Sequence, residues 1–207
     1  LVGSEMCIRD RAMDRFNRIL RVDEDNLVAM VEPGVITADF QEKVEKVGLF
    51  YPPDPASVRI STIGGNVAAC AGGLRAVKYG VTRDYVMGLE VVLPTGEIIK
   101  TGVETAKGVV GYDLTRLIVG SEGTLAVITA ITLLLLPKPA TKKTMLAFFR
   151  DMPGAVQTVS EIIRQKVVPT TLEFMDRYCI QCVREDMGLD IPPVSYTHLT
   201  LPTKRIV

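Results

Sequence analysis

Between Ser61 and Gly80 the chain reads STIGGNVAACAGGLRAVKYG, where five glycines and four alanines leave little side-chain bulk over a long stretch. Something must approach this backbone closely, because a bare backbone is the means by which a chain admits a close neighbour. Thr62 or Ser61 can cap a short helix running to about Ala71, and small residues on that helix allow contact with a flat or anionic ligand. They equally permit a helix packed tightly on a neighbouring sheet, and this stretch alone leaves both readings open. A second glycine-bracketed turn, Gly120-Ser121-Glu122-Gly123-Thr124, follows later in the chain. The two turns can supply backbone N–H groups and hydroxyls to a large ligand with phosphates and a planar ring.

Around them the pattern is that of an α+β protein. Asn26 to Val31 reads as a strand ending at the Pro33-Gly34 turn. Thr37 offers its hydroxyl as an N-cap to an amphipathic helix carrying Phe40, Val44 and Val47, which Gly48 stops. The prolines of Tyr51-Pro52-Pro53-Asp54-Pro55 fix an extended loop. Val86 to Leu93 reads as a buried strand, Pro94 to Glu97 as a hairpin turn and Glu97 to Thr101 as its partner, which implies an antiparallel or mixed sheet. Leu114 to Val119 is apolar, and LAVITAITLLLL (125–136) is β-branched and long enough to cross a sheet. Pro137 and Pro139 stiffen the connector Lys138 to Thr141 into an expected domain boundary. Beyond it a strand is expected at Thr144 to Phe149, a helix at Pro153 to Gln165, a strand at Pro169 to Phe174 and a helix at Asp176 to Glu185.

Charge and cysteine content narrow the function. Lys and Arg number 24 against 24 Asp and Glu, scattered among one another, so no surface is set aside for nucleic acid. The longest nearly apolar run, Leu125 to Leu136, stops at Pro137, short of the roughly 20 residues that cross a bilayer. Both ends lack periodicity. LVGSEMCIRDR (1–11) and VSYTHLTLPTKRIV (194–207) resemble translated sequencing adapters, so the natural segment is expected to run from about Ala12 to Pro193 and to be part of a longer gene. The single histidine, His198, and Cys7 fall in those ends and are not recruited to a site. Cys70, Cys179 and Cys182 make no disulfide framework, and a cytoplasmic setting is expected. Cys179 and Cys182 form a C-x-x-C one helical turn apart, read as ordinary half-buried thiols and not as a metal pair; no metal is expected from these residues.

No nucleophile-elbow serine, phosphate-loop lysine motif or nicotinamide-type glycine fingerprint occurs, so hydrolase and kinase readings lose their anchors. What the chain does carry, in order, is YPPDPAS, STIGGNVAACAGG, KYGVTRDYV, TGVETAKGVVGYDLTRLIVGSEGTLAVIT and LLLLPKP. This series, over about Asn26 to Asp176, resembles the flavin-binding domain of FAD-linked oxidases of the vanillyl-alcohol oxidase superfamily, in the branch of glycolate oxidase flavoprotein subunits and D-lactate dehydrogenases. LEFMD (172–176) resembles the opening of that family's C-terminal cap domain.

The resemblance implies the second half of a flavin-binding domain, with a mixed sheet and flanking helices over 12–139, followed by the truncated start of an α+β cap domain over 140–193. It implies FAD in an extended cleft. Pro53, Asp54, Pro55, Ser57 and Thr62 would border the ring and ribityl chain. Gly64, Gly65 and Asn66, then Ala69, Ala71, Gly72 and Gly73, would form a small-residue wall. Glu122, Gly123, Thr124, Val127 and Ile128 would contact the ribityl and adenosine side, and Asn66 and Thr62 could donate to ring carbonyls. Ala69, Cys70 and Ala126 depart from the family's usual Glu-Asn and glycine. The implied reaction is oxidation of a small D-2-hydroxy acid, with electrons passing on to an iron–sulfur subunit, a quinone or another carrier, in the cytoplasm or at the inner face of the membrane. The family's pyrophosphate loop would precede this segment, and its substrate-binding residues and histidine-rich metal cluster would follow; no catalytic residue is named here. Two alternatives stand beside it, an alkylglycerone-phosphate synthase type of FAD enzyme and a non-catalytic flavin-fold partner module. Among single residues, Asp176 is expected to cap the last helix, with Glu173 beside it at the strand-to-helix junction. Arg75, Lys78 and Arg83 are expected on a solvated face, and Tyr79 and Tyr112 in packing roles.

Overall fold

The computed structural model describes residues 12–188, apart from 106, 142, 146, 150 and 174, together with 196–198. The segment 1–11 and most of the tail set apart above lie outside these residues. The described residues divide into two compact units, one built from those within 12–51, 57–71 and 82–138, the other from those within 52–56, 72–81 and 139–198.

The first unit is built on a five-stranded sheet of β1 (Ile19–Asp23), β2 (Val28–Val31), β4 (Val86–Val92), β5 (Ile98–Gly102) and β6 (Val127–Leu134), in the order β1-β2-β6-β4-β5. Its pairings are all antiparallel, so of the two arrangements the hairpin allowed this sheet adopts the antiparallel one. The long apolar run becomes the central strand of the five, paired with β2 on one side and β4 on the other. Val31 and Leu89 both pair with Ile131, giving a row of side chains at most 3% exposed across three strands. The short β3 (Leu49–Phe50) pairs with β7 (Leu136–Pro137), and the Lys138 amide donates to the Gly48 carbonyl at 2.9 Å.

Helix α1 (Thr37–Glu45) buries Phe40 and Val44, one turn apart, as its spacing requires, whereas Val47 lies past the helix end and is exposed. Its N-cap position is Ile36, and Thr37 makes no capping bond; the threonine is the first helical residue and its hydroxyl is engaged elsewhere. Helix α2 (Ile63–Ala69) is capped by Thr62 and ends at Cys70, which adopts a left-handed φ of 51°. Helix α4 (Leu114–Ile118) begins at Asp113, whose carboxylate accepts from the Arg116 amide at 2.9 Å. Tyr51 is fully buried, edge-on to Phe40 and Tyr85 at ring separations of 5.2 and 6.1 Å.

In the second unit α3 (Ala76–Tyr79) is a single turn, with Lys78 set over the Tyr79 ring at 5.4 Å. Helix α5 (Met152–Arg164) is capped by Asp151 through the Gly154 amide at 2.8 Å, with Pro153 in its first turn. Helix α6 (Arg177–Met187) is capped by Asp176 through the Cys179 amide at 2.8 Å, the structural role expected of that carboxylate. Among the described residues of the strand expected at Thr144–Phe149, β8 (Phe148–Phe149) is the part that forms, and it pairs with β9 (Tyr196–His198). Among the described residues of Pro169–Phe174 there is no strand: a β-prone run needs a ladder partner, and no described strand pairs with it. Cys179 and Cys182 are exposed free thiols, not half-buried ones. Among the described residues no helix is long and apolar enough to cross a membrane.

Candidate functional site

The N-terminal turn of a helix normally leaves its first amides unpaired. In α2 they are all used within the protein. The Ile63 amide donates to the Val35 carbonyl at 2.8 Å, Gly64 to Pro33 at 2.7 Å and Gly65 to the Thr62 hydroxyl at 3.1 Å. The end of this helix therefore offers no free N–H to a phosphate, contrary to one expectation from the sequence. Asn66 is also turned inward: it is 3% exposed, and its Nδ2 donates to the Thr37 hydroxyl at 2.8 Å.

What α2 does present is shape. Gly65 and Ala69, one turn apart, are exposed, with Thr62 and Ala68 half-buried beside them, so this face carries nothing larger than a threonine. Gly64 and Gly65 are glycines for different reasons. A Cβ on Gly64 would collide with the Pro33 ring and lie 2.8 Å from the Pro33 carbonyl oxygen and 2.9 Å from its Cα. A Cβ on Gly65 would meet only the Thr62 hydroxyl, at 3.2 Å.

The GSEGT turn docks directly on the C-terminal half of this helix. The Gly120 amide donates to the Val67 carbonyl at 3.0 Å and the Glu122 amide to Ala68 at 2.9 Å. Arg83 fastens the same junction, its Nη2 donating to the Val119 carbonyl at 3.0 Å and passing 2.9 Å from where a Gly120 Cβ would stand. Arg83 is thus half-buried in a structural clamp and does not lie on the solvated face expected for it. The turn runs through left-handed backbone, with φ of 86° at Gly120, 52° at Glu122 and 72° at Gly123. Glu122, Gly123 and Thr124 are exposed, Thr124 closing the turn by donating its hydroxyl to the Ser121 carbonyl at 2.6 Å. Val127 and Ile128 continue from it into β6, the first half-buried and the second 8% exposed. The two small-residue turns, far apart in sequence, are one surface.

Ala71 closes the wall at its far end, its carbonyl accepting from the Thr82 amide at 3.0 Å and hydroxyl at 2.7 Å. Tyr51 Oη lies beside Thr82 without closing a well-formed bond, and burial pushes its pKa well above the ordinary phenol value. Ser57 is exposed, its carbonyl accepting from the Ile60 and Ser61 amides at 2.8 Å each.

The remaining expected residues belong to the second unit. Pro53 is buried and Asp54 half-buried, with Arg75 Nε 3.1 Å from Asp54 Oδ2; Arg75 is therefore held against the proline loop and is not a free solvated cation. Gly73 touches the same loop so closely that a Cβ would strike the Asp54 carbonyl and lie 2.9 Å from the Pro55 nitrogen; Gly72 has more room, its nearest neighbour being Val81 Cγ1 at 3.5 Å.

Two features had no sequence signal strong enough to find them. One is the Arg83 clamp. The other is a cleft of about 650 Å³ in the first unit, between Asp84–Met87 and the loop Gly102–Thr115. Tyr112, expected to pack, is 97% exposed at its rim. Among the described residues no three His, Cys, Asp or Glu side chains converge as a metal site.

Residues 12–102 match the family model described as FAD binding domain, and residues 138–202 that described as FAD linked oxidases, C-terminal domain. The chain is 57% identical to the glycolate oxidase subunit GlcD of Bacillus subtilis over 85% of its own length and 37% of the relative's. It is 40% identical to D-lactate dehydrogenase of Anaerostipes hadrus over 93% of its length and 41% of the relative's, and 36% identical to D-2-hydroxyglutarate dehydrogenase of Stutzerimonas stutzeri over 79% and 35%. A solved structure of alkyldihydroxyacetonephosphate synthase superposes with a TM-score of 0.76 over 92% of this chain and 37% of that one, at 24% identity, a likeness of fold alone. The chain spans about two fifths of the length of the curated relatives it matches. With the two domain models matching in order along one chain, and a wall of two small-residue turns inside the first unit, the chain belongs to the FAD-linked oxidase family.

Proposed function

We propose that this chain is part of an FAD-dependent dehydrogenase that oxidises a small D-2-hydroxy acid of the glycolate or D-lactate type. The observation that carries the reading is Gly65. Glycine in a helix costs about 1 kcal/mol relative to alanine. At Gly64 the Pro33 contact demands it, and at Gly120 and Gly123 a left-handed backbone does. Gly65 is helical and exposed, with almost no protein atom beside it, so its missing side chain answers to something other than this fold. A flat group lying on Gly65 and Ala69 and reaching Gly123 supplies that reason, and the residues present fit an isoalloxazine nucleotide.

In this reading Gly65, Ala69 and Ala71 give the flavin a close, apolar surface, with Gly64 and Asn66 holding that surface from behind. Thr62 keeps a hydroxyl hydrogen to donate after accepting from Gly65. Glu122, Gly123 and Thr124, continued by Val127 and Ile128, flank the ribityl and adenosine side. Ser57 borders the ring. When bound, FAD supplies the acceptor for the hydride leaving the substrate α-carbon. The chain's own part is to orient that acceptor and to exclude water from one of its faces.

The relatives' names favour hydroxy-acid oxidation over the alkylglycerone-phosphate synthase alternative, which has only a distant likeness of fold behind it. The word subunit in the name of the Bacillus relative supports assembly with partner chains, and we propose an iron–sulfur protein as the electron acceptor, with the complex in the cytoplasm or at the inner face of the membrane. The test is to express the complete open reading frame that contains this segment and mix it anaerobically with glycolate, D-lactate and L-lactate. Bleaching of a bound flavin by a D-2-hydroxy acid or glycolate supports the reading; a flavin that none of them reduces favours the non-catalytic module.

A further inference from the structure

The hydroxyl of Thr37 joins two parts of the wall, Ser61 and Asn66, from behind. Thr37 is fully buried. Its amide donates to the Ser61 carbonyl at 2.9 Å, and its Oγ1 lies 2.9 Å from that carbonyl and 3.0 Å from the Ser61 hydroxyl. The same oxygen accepts from Asn66 Nδ2 at 2.8 Å. Since Asn66 Nδ2 can only donate, the single hydroxyl hydrogen of Thr37 points to the Ser61 side. Next to it, Ile36 and Thr62 form an isolated antiparallel bridge. Ser61 and Thr62 precede Gly65 and Asn66 follows it, so one buried oxygen ties together both flanks of the glycine that faces the ligand.

We propose that Thr37 is a positioning residue for the flavin, acting through Asn66 and Ser61 to set the height and tilt of the Gly65 face; the proposal rests on the flavin-wall reading above. Valine matches threonine in shape but leaves the buried Asn66 amide without its acceptor, so the first turn of α2 must move to find another. Serine keeps the oxygen.

The test uses the full-length flavoprotein. FAD affinity is measured by titrating the apoprotein and following flavin fluorescence, and the vibronic structure of the bound flavin band is recorded as a readout independent of turnover. Thr37→Val is expected to raise the FAD Kd at least tenfold and to blur that structure, with Thr37→Ser returning both to within twofold of the parent. Val44→Ala on the same helix controls for stability, since it empties core volume without touching the wall; it is expected to lower the melting temperature and leave the Kd within twofold. Parental affinity in Thr37→Val, or equal loosening in Val44→Ala at an equal loss of melting temperature, overturns the proposal. If Thr37→Val does not fold, Asn66→Ala removes the same link from the other end, and parental affinity there overturns it equally. Gly65→Leu separates the two claims: undiminished FAD binding in that variant defeats the wall itself, whatever Thr37→Val does.

Discussion

Two adjacent glycines in one helix are predicted to respond to the same substitution in opposite directions. In Gly64→Ala the new methyl enters the Pro33 ring and lies under 3 Å from two Pro33 backbone atoms, while the Gly64 amide is tied to that same residue at 2.7 Å. Overpacking against backbone costs about 1–3 kcal/mol, and stretching the tie costs part of a further 0.5–1.5 kcal/mol. The gain in helix propensity returns about 1 kcal/mol. The net is a loss of about 2 kcal/mol. In Gly65→Ala the propensity gain is the same, and the only resistance is the Thr62 hydroxyl at 3.2 Å on a half-buried side chain free to shift by a few tenths of an ångström. The net is a gain of about 0–1 kcal/mol. Urea unfolding of the two apoproteins, read by circular dichroism, should thus separate them by roughly 2–3 kcal/mol, and the order should invert for the flavin, with the more stable Gly65→Ala holding FAD more weakly than the parent. Equal destabilisation by both alanines would refute the packing argument; a Gly65→Ala protein that binds FAD as tightly as the parent would refute the claim that the ligand explains this glycine.

Other predictions follow from polar contacts. Glu32 is buried, and the Arg18 guanidinium, bonding it at 2.7 and 3.1 Å, holds its carboxyl below the usual range. Its folded pKa is depressed, so its contribution is complete above the unfolded value of about 4.3 and is lost as pH falls through the folded value. Denaturation midpoints measured from pH 6 down to about 3 should fall less steeply in Glu32→Gln than in the parent. Arg83→Met releases the Val119 carbonyl, a charged bond worth about 1.5–3 kcal/mol, and limited proteolysis should then cut near Gly120–Thr124 faster; unchanged cutting would mean the turn holds itself. Asp176→Ala removes the α6 cap, costing about 1 kcal/mol. Because Asp176 raises the Cys179 pKa, chiefly through a side-chain hydrogen bond, the variant's Cys179 should alkylate with iodoacetamide at lower pH than the parent's.

Features generated by local pattern were legible in the sequence. β6 followed from one long β-branched run, the Phe40 and Val44 face from their spacing, and the caps at Thr62 and Asp176 from a hydroxyl and a carboxylate placed before apolar residues. What escaped depends on contacts between distant residues. Thr37 reads as a cap from its neighbours alone; only the fold brings Ser61 and Asn66 to its hydroxyl and gives it other work. Arg83 reads as a surface charge until Val119 arrives beside it. The run Pro169–Phe174 has β-compatible residues, yet a strand is a property of two segments and the second is not among the described strands. The bonds that join the two glycine-rich turns, Gly120 to Val67 and Glu122 to Ala68, are main-chain to main-chain and leave no side-chain signature at all.

The occupied amides of α2 decide what kind of grip this surface can exert. A helix N-terminus binds an anion when its first amides are free, because free N–H groups carry most of the local positive charge of the dipole. Here Pro33, Val35 and Thr62 take those amides, and the Asn66 side chain is consumed by Thr37. Within the GSEGT turn, Gly120, Ser121, Glu122 and Thr124 all donate to carbonyls of the protein. The face left exposed by this arrangement, Gly65 and Ala69 beside the turn, offers contact area and closeness and little charge. Such a face discriminates by thickness: it accepts a planar, apolar group at van der Waals distance and rejects anything that needs a partner for a buried charge. A phosphate has no reason to settle on it, whereas an aromatic ring system does, and this physical distinction, more than the number of glycines, is why the proposed reading sets the ring-bearing part of the nucleotide against Gly65 and Ala69.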